Sequence, residues 1–208
     1  IISGALLCMA ALPATAVAQS INFETQDYKS IGVYDTWENS PFRKGQLQGN
    51  VAVVDNHLTA MDSVLSIVPN SSAKILGFQR SRYGSNTFGA RIDLKETFEL
   101  TPETKYVHVL INKPVSGRVM LIGLGKRKDR AGQNAETEQF WVFSNNTVTP
   151  DQWCDAVFPI KGAGGIDIYS LVVVPDAESS HTRSADFACY IDKIVVNDKS
   201  TSDIERED

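Results

Sequence analysis

What most constrains this chain is the period of its apolar residues. Past residue 18 they recur at every second position, in short runs rich in Val, Ile, Tyr and Phe that are bounded by Gly, Pro, Asn and Asp. A period of two places alternate side chains on opposite faces of an extended strand. In Lys105–Asn112, Val107, Val109 and Ile111 face one side while Tyr106, His108 and Leu110 face the other. Arg118–Leu124 is apolar on both faces, as suits a central strand, and the intervening Asn112–Gly117 has turn chemistry. The pattern predicts strands near 20–24, 50–54, 63–68, 73–80, 87–94, 105–112, 117–125, 137–143, 154–160, 166–174 and 187–197. No run carries a convincing helical period, so the helix–strand alternation that a parallel sheet needs is missing. The expected fold is all-β, a two-sheet antiparallel β-sandwich of jelly-roll type. The longest stretch without a clear strand is 28–49, which holds Tyr34, Trp37, Phe42 and Arg43.

The first 18 residues read as an export signal. Ile1–Ala18 is uncharged, dense in Leu, Ala, Val and Ile, and ends in Ala16-Val17-Ala18, the small-x-small pattern of a cleavage site. Pro13 interrupts the run, and neither it nor any later run is long enough to span a bilayer. The expectation is therefore a secreted, periplasmic or cell-surface protein with a signal peptide at 1–18. A single domain follows over 19–198, and then a flexible polar tail at 199–208. The formal net charge of −5 argues against nucleic acid or an anionic membrane as partner, since both favour a basic excess. Beyond the signal lie Cys154 and Cys189, either bridged or present as two small buried thiols.

Three groups of residues bear on chemistry. Glu24 and Asp192 each stand among apolar residues, in Ile21-Asn-Phe-Glu24 and Tyr190-Ile-Asp-Lys-Ile194. An unpaired carboxylate there would be costly, and a shared Ca²⁺ would compensate both. A Lys or Arg partner, or an aspect toward water, would do so without metal. The second group is Tyr34, Trp37, Arg80, Arg82, Tyr83, Trp141 and Trp153, more aromatics and arginines than core packing requires. Aromatic faces stack on the C–H face of a sugar ring, and guanidinium groups donate to its hydroxyls. Gln79–Asn86 reads as a strand end running into a polar rim. Because tryptophan is more often buried than displayed, the carbohydrate-binding candidates are narrowed to Trp37, Arg80, Arg82 and Tyr83. The third group is acidic. Glu136 and Glu138 are a close pair on an expected strand, yet they share one strand edge rather than flank a cleft. His57, His108 and His181 are isolated, and no nucleophile-elbow, P-loop or dinucleotide motif is present, so no catalytic residue is assigned.

The opening Phe23-Glu24, the aromatic loop Tyr34-Asp-Thr-Trp-Glu38 and the closing Tyr190-Ile-Asp-Lys-Ile-Val-Val196 resemble the galactose-binding-like β-sandwiches to which many carbohydrate-binding modules belong. Through Asp35–Phe42, Gly77–Gly84 and Gly165–Ser170, the likeness along 21–197 is closer to poorly characterised secreted proteins of polysaccharide-degrading gut bacteria. The resemblance implies a jelly roll with both termini on one side. It also implies a structural calcium held by a carboxylate of the first strand and one of the last, positions that Glu24 and Asp192 match. It transfers no sugar-binding residues.

These readings converge on a non-catalytic carbohydrate-binding module that contacts a glycan or polysaccharide. The alternative is an interaction domain docking onto a larger secreted enzyme or surface complex. The third reading is a small jelly-roll glycosidase or lyase, which needs two carboxylates, or a Tyr/His/Arg set, across a concave sheet.

Overall fold

A computed structural model of the chain describes residues 19–34, 51–58, 68–80, 82, 84–130, 132, 136–177 and 184–201. The expected export segment at 1–18, Trp37 and Tyr83 lie outside the described residues. The described strands are β1 (Gln19–Ile21), β2 (Tyr28–Tyr34), β3 (Val51–Asp55), β4 (Lys74–Arg80), β5 (Gly89–Leu100) and β6 (Lys105–Asn112). They continue with β7 (Met120–Arg127), β8 (Thr137–Phe143), β9 (Cys154–Ile160), β10 (Ile166–Val174) and β11 (Phe187–Asn197). One sheet runs β3-β4-β11-β6-β9 with β1 paired to β11, and the other runs β2-β5-β10-β7-β8. Every ladder between these strands is antiparallel. This is the two-sheet sandwich expected from the strand pattern.

The alternation in β6 explains how the sheets adhere. Val107, Val109 and Ile111 enter the central core with Leu76 and Phe78 of β4, Ile92 and Leu94 of β5, and Leu171 and Val173 of β10. Removing such surfaces from water is the main source of stability in a layered β fold. The opposite face of β6 is also buried. Leu110 packs with Ile75 and Trp153, and His108 is held between Asp155, with Nδ1 2.8 Å from Oδ2, and the Lys199 carbonyl, 2.8 Å from Nε2. That carbonyl can only accept, so Nε2 donates, and the start of the expected tail is tied to the sheet.

Two differences from the expected strands matter. Tyr28–Tyr34 is an edge strand inside the stretch that lacked a strand signal, because Ser30 and Gly32 occupy its outward positions. The first strand is shorter than expected, so Glu24 lies in the turn after it and is exposed. The expected strand near 63–68 falls almost wholly outside the described residues. Cys154 and Cys189 are both buried free thiols, and burial pushes the Cys189 thiol up to about 12. No helix among the described residues is long and apolar enough to cross a membrane.

Candidate functional site

The outward face of the five-stranded sheet carries the candidate site, and the strand register lays it out in rows. Gly32, Arg91, Val172, Ile122 and Trp141 are successive partners across the sheet. Ser30, Asp93, Ser170, Leu124 and Glu138 form the next row. On the other side of the first row lie Tyr34, paired with Gly89, and Met120, paired with Val174 and Phe143.

Contacts across these rows show that the face is concave. Neighbouring strands lie about 4.8 Å apart, so a flat sheet of five would set its edge strands roughly 19 Å apart, beyond the joint reach of two side chains. Yet the Tyr34 hydroxyl of edge strand β2 donates to the Glu138 carboxylate of the opposite edge strand β8. Arg91 of β5 likewise reaches Glu136, just before β8, with Nη2 3.0 Å from Oε2. The sheet must therefore curl toward this side. The curl has a local cause, because all four ladders shift register along one line, at Tyr28/Ser30, Ile168/Ser170 and Gly123/Leu124. Bulges bend strands and strengthen twist, and these are stacked. Tyr34 packs over the apolar floor of Met120, Ile122, Leu124, Val172 and Val174, which gives that floor its burial.

Trp141, 49% exposed, and Phe143, 37% exposed, are the large exposed hydrophobic residues among those described. Trp141 is oriented by its indole N–H, which donates to Glu138 Oε2 at 3.0 Å, and the same carboxylate holds Tyr34. The Arg118 guanidinium lies 4.5 Å from the centre of the Phe143 ring, a cation–π stack at the end of the platform. Across the face from the indole, on β2, β5 and β10, lies a polar network. Asp93 accepts from Arg91 Nε at 2.7 Å, from the Ser170 hydroxyl at 2.6 Å and from the Ser30 hydroxyl. Burial raises the Asp93 carboxyl, but the Ser170, Ser30 and Arg91 hydrogen bonds outweigh it and hold the group below the usual carboxylate range. Asp93 thus stays ionised and fixes Arg91. A flat apolar ring bordered by fixed polar groups is what a sugar, with its C–H faces and hydroxyl rim, requires.

The sequence-derived sugar candidates are placed differently. Arg80 is 1% exposed, its Nη2 donates to the Asp176 carbonyl at 3.3 Å, and its guanidinium lies 5.6 Å from the centre of the Phe88 ring. It is an interior group, and glycan contact by this side chain would require uncovering it. Arg82 lies on the rim of the other sheet, where its amide donates to Asp186 Oδ1 at 2.9 Å and its Nη1 to the Ser184 carbonyl at 3.3 Å. Neither reaches the concave face. Trp153 is fully buried, whereas Trp141, set aside in the narrowing, is displayed.

The two carboxylates of the expected metal pair are joined through one segment. Glu24 accepts from the amides of Ala73 and Lys74, the latter at 3.0 Å. Asp192 is fully buried; its Oδ1 accepts from the Lys193 amide at 2.8 Å, while Oδ2 has no hydrogen-bond partner among the described residues. Asn70 Nδ2 is likewise buried without a partner. Burial pushes the Asp192 carboxyl above its usual range, against the pull of Ser72, the Lys193 amide and Asn70. Lys193 adopts φ 44°, where β11 shifts register against β6. A buried carboxylate oxygen with an open lone pair suits a hard cation. Among the described residues no group of three or more His, Cys, Asp and Glu is gathered for a metal, so the other ligands would be carbonyl or amide oxygens.

No family model and no curated protein matches this chain. Solved structures do. The CBM22-2 xylan-binding domain from Paenibacillus barcinonensis Xyn10C is 11% identical with a TM-score of 0.49, covering 87% of this chain and 99% of that one. The CBM22-1–GH10 modules of Clostridium thermocellum endo-1,4-β-D-xylanase 10B, complexed with xylohexaose, are 9% identical with a TM-score of 0.46. That match covers 90% of this chain, which spans only 29% of the xylanase chain. A family 29 carbohydrate-binding module from Piromyces equi is 10% identical with a TM-score of 0.41, covering 91% of this chain and 96% of that one.

Proposed function

We propose that this chain is an exported, non-catalytic glycan-binding module whose binding surface is the concave face of the five-stranded sheet. The observation that carries the reading is Trp141, an exposed indole pinned by Glu138 on the same face as the Arg91–Asp93 network. An indole already fixed by its N–H loses little freedom when a sugar stacks on it. The three carboxylates nearest Arg91 and Trp141 are engaged, Asp93 by Ser30, Ser170 and Arg91, Glu136 by Arg91, and Glu138 by Tyr34 and Trp141. Such groups suit recognition of hydroxyls better than proton transfer. They outnumber Arg91 and Arg118, and farther along the face Asp167 and Glu99 offset Lys126 and Lys128, so a neutral polysaccharide is favoured over an acidic one.

A calcium ion bound through Asp192 Oδ2, with Glu24 holding the Ala73–Lys74 amides, belongs to this reading as a structural element remote from the sugar. The signal at 1–18 makes the periplasm or cell surface its place of work. A second reading, a domain docking onto a larger secreted enzyme, draws on the same exposed Trp141 and Phe143, which a protein partner would cover as readily.

A glycan array of residues 19–208, followed by titration of Trp141→Ala, tests the choice. The expected result is binding to one or more neutral polysaccharides and at least a tenfold loss in the variant, with an unchanged circular dichroism spectrum. Unaltered binding by the variant would refute the face, and a folded parent that binds no glycan would favour docking.

A further inference from the structure

We infer that a second sugar site lies on the outward face of the six-stranded sheet, so that one molecule can hold two glycan chains on opposite sides. The inference rests on the glycan-binding reading but on none of the residues of the concave face. A groove of about 380 Å³ opens where β3, β4 and β11 run side by side. Its floor is low where Ala52 pairs with Gly77 and where Ala188 stands exposed on the neighbouring strand, with Val54 and Gln79 at its margins. Its wall is Tyr190, the cross-strand partner of Gly77, whose ring carbons would stand 3.3 Å from a Cβ at that glycine. Any larger residue at 77 would push the ring out of place. His57 meets Tyr190 edge-on, with ring centres 4.9 Å apart and planes at 76°, so the wall is braced from behind.

The far end of the groove supplies the polar contact. Asp186 lines it, and its carboxylate is held by the Arg82 amide at 2.9 Å and by Gln79 Nε2 at 3.5 Å. A carboxylate has about four acceptor positions, and these contacts use two. An aromatic wall, a floor low at Ala52, Gly77 and Ala188, and a fixed acceptor at the rim match one pyranose ring, its C–H face on Tyr190 and a hydroxyl donating to Asp186. The carboxylate repels phosphate, sulfate and uronic acids, which makes the expected ligand neutral. The volume is in the lower part of the range for small-ligand pockets and suits one or two rings.

The two faces point away from each other, with the sandwich between them, so a single sugar chain does not occupy both. Two modest sites on opposite sides give avidity on a polysaccharide network and let the protein bridge separate chains.

Calorimetric titration of the protein with xylohexaose, cellohexaose and mannohexaose, in the parent, Ala188→Trp, Asp186→Asn and Trp141→Ala, separates the possibilities. Ala188 is exposed, so a tryptophan there fills the groove without entering the core. The expected result is two sugars bound per parent molecule, one per Ala188→Trp molecule and one per Trp141→Ala molecule, with Asp186→Asn weakening only the site that survives Trp141→Ala. The parent should also raise the turbidity of a soluble neutral polysaccharide, and either single-site variant should not. One site in the parent, lost in Trp141→Ala and kept in Ala188→Trp, overturns the groove and leaves the concave face intact. One site lost only in Ala188→Trp supports the groove and overturns the concave face. No binding of these or array glycans by folded parent overturns both.

Discussion

Two aspartates, Asp93 half-buried and Asp192 fully buried, give this protein opposite responses to pH. Asp93 is held below the usual carboxylate range, so it contributes stability that is present above its unfolded value and lost as pH falls through the folded one. Asp192 is pushed above that range, so the fold favours its protonated form, and the associated stability is lost as pH rises through its folded value. In chelator, Asp192→Asn should therefore raise the thermal midpoint at pH 7 by roughly 2–4 °C, the shift that about 1 kcal/mol produces in a domain of this size. The gain should vanish near pH 3, where both forms are uncharged. Asp93→Asn should instead lower the midpoint at pH 7 and flatten its acid limb. Calcium reverses the first comparison. If Asp192 holds a cation, millimolar calcium raises the midpoint of the parent and leaves Asp192→Asn unmoved, whereas an equal rise in both would show that the ion binds elsewhere.

At the scale of the strand, β8 decides whether the concave face works. Glu138 and Trp141 are three residues apart, and a regular strand would place them on opposite faces. Gln139, the extra residue opposite Gly123 and Leu124, returns them to one face. Its own amide donates to the Gly125 carbonyl at 3.2 Å and to the Thr137 hydroxyl at 2.7 Å, which occupies groups the bulge leaves unpaired. Deleting Gln139 should swing Glu138 off the indole, redden the Trp141 fluorescence and weaken glycan binding about tenfold, while the far-ultraviolet spectrum stays that of a β protein. Retained affinity would mean that Trp141 needs no brace. The site was hard to read in advance for this reason. The strand at 137–143 is plain from its pattern, but a one-residue insertion leaves no compositional mark, and without it Glu138 seems to belong to an edge and Trp141 to the core. Arg80 misled in the converse way, since an arginine beside a glycine-containing loop looks like a rim until the Phe88 ring and the Asp176 carbonyl are seen around it.

At the scale of the molecule, the fold was legible because its interior is built from residues that state their preference locally. The strands at 154–160, 166–174 and 187–197 are rich in Val, Ile, Phe and Tyr over lengths that suit a buried strand. The edge strand β2, with Ser30 and Gly32 outward, states no such preference and is fixed only by its partner β5. The core and the binding faces are separable for the same reason. Leu121→Ala, which opens the central core, should lower stability by roughly 2–5 kcal/mol in denaturant unfolding while the folded fraction keeps its affinity. A parallel loss of affinity would mean that the floor shifts with the core. The crease of stacked bulges also acts as a parity switch. In β10, Ile166 and Ile168 point into the core, yet Val172 and Val174, equally even-numbered, point out. One extra residue at Tyr169 lets the even-numbered positions of a single strand serve two surfaces with opposite duties. Insertions or deletions along β2, β10 or β8 are therefore tolerated only in pairs, or at the crease itself, and a length change there alters the curvature of the face without rewriting the core.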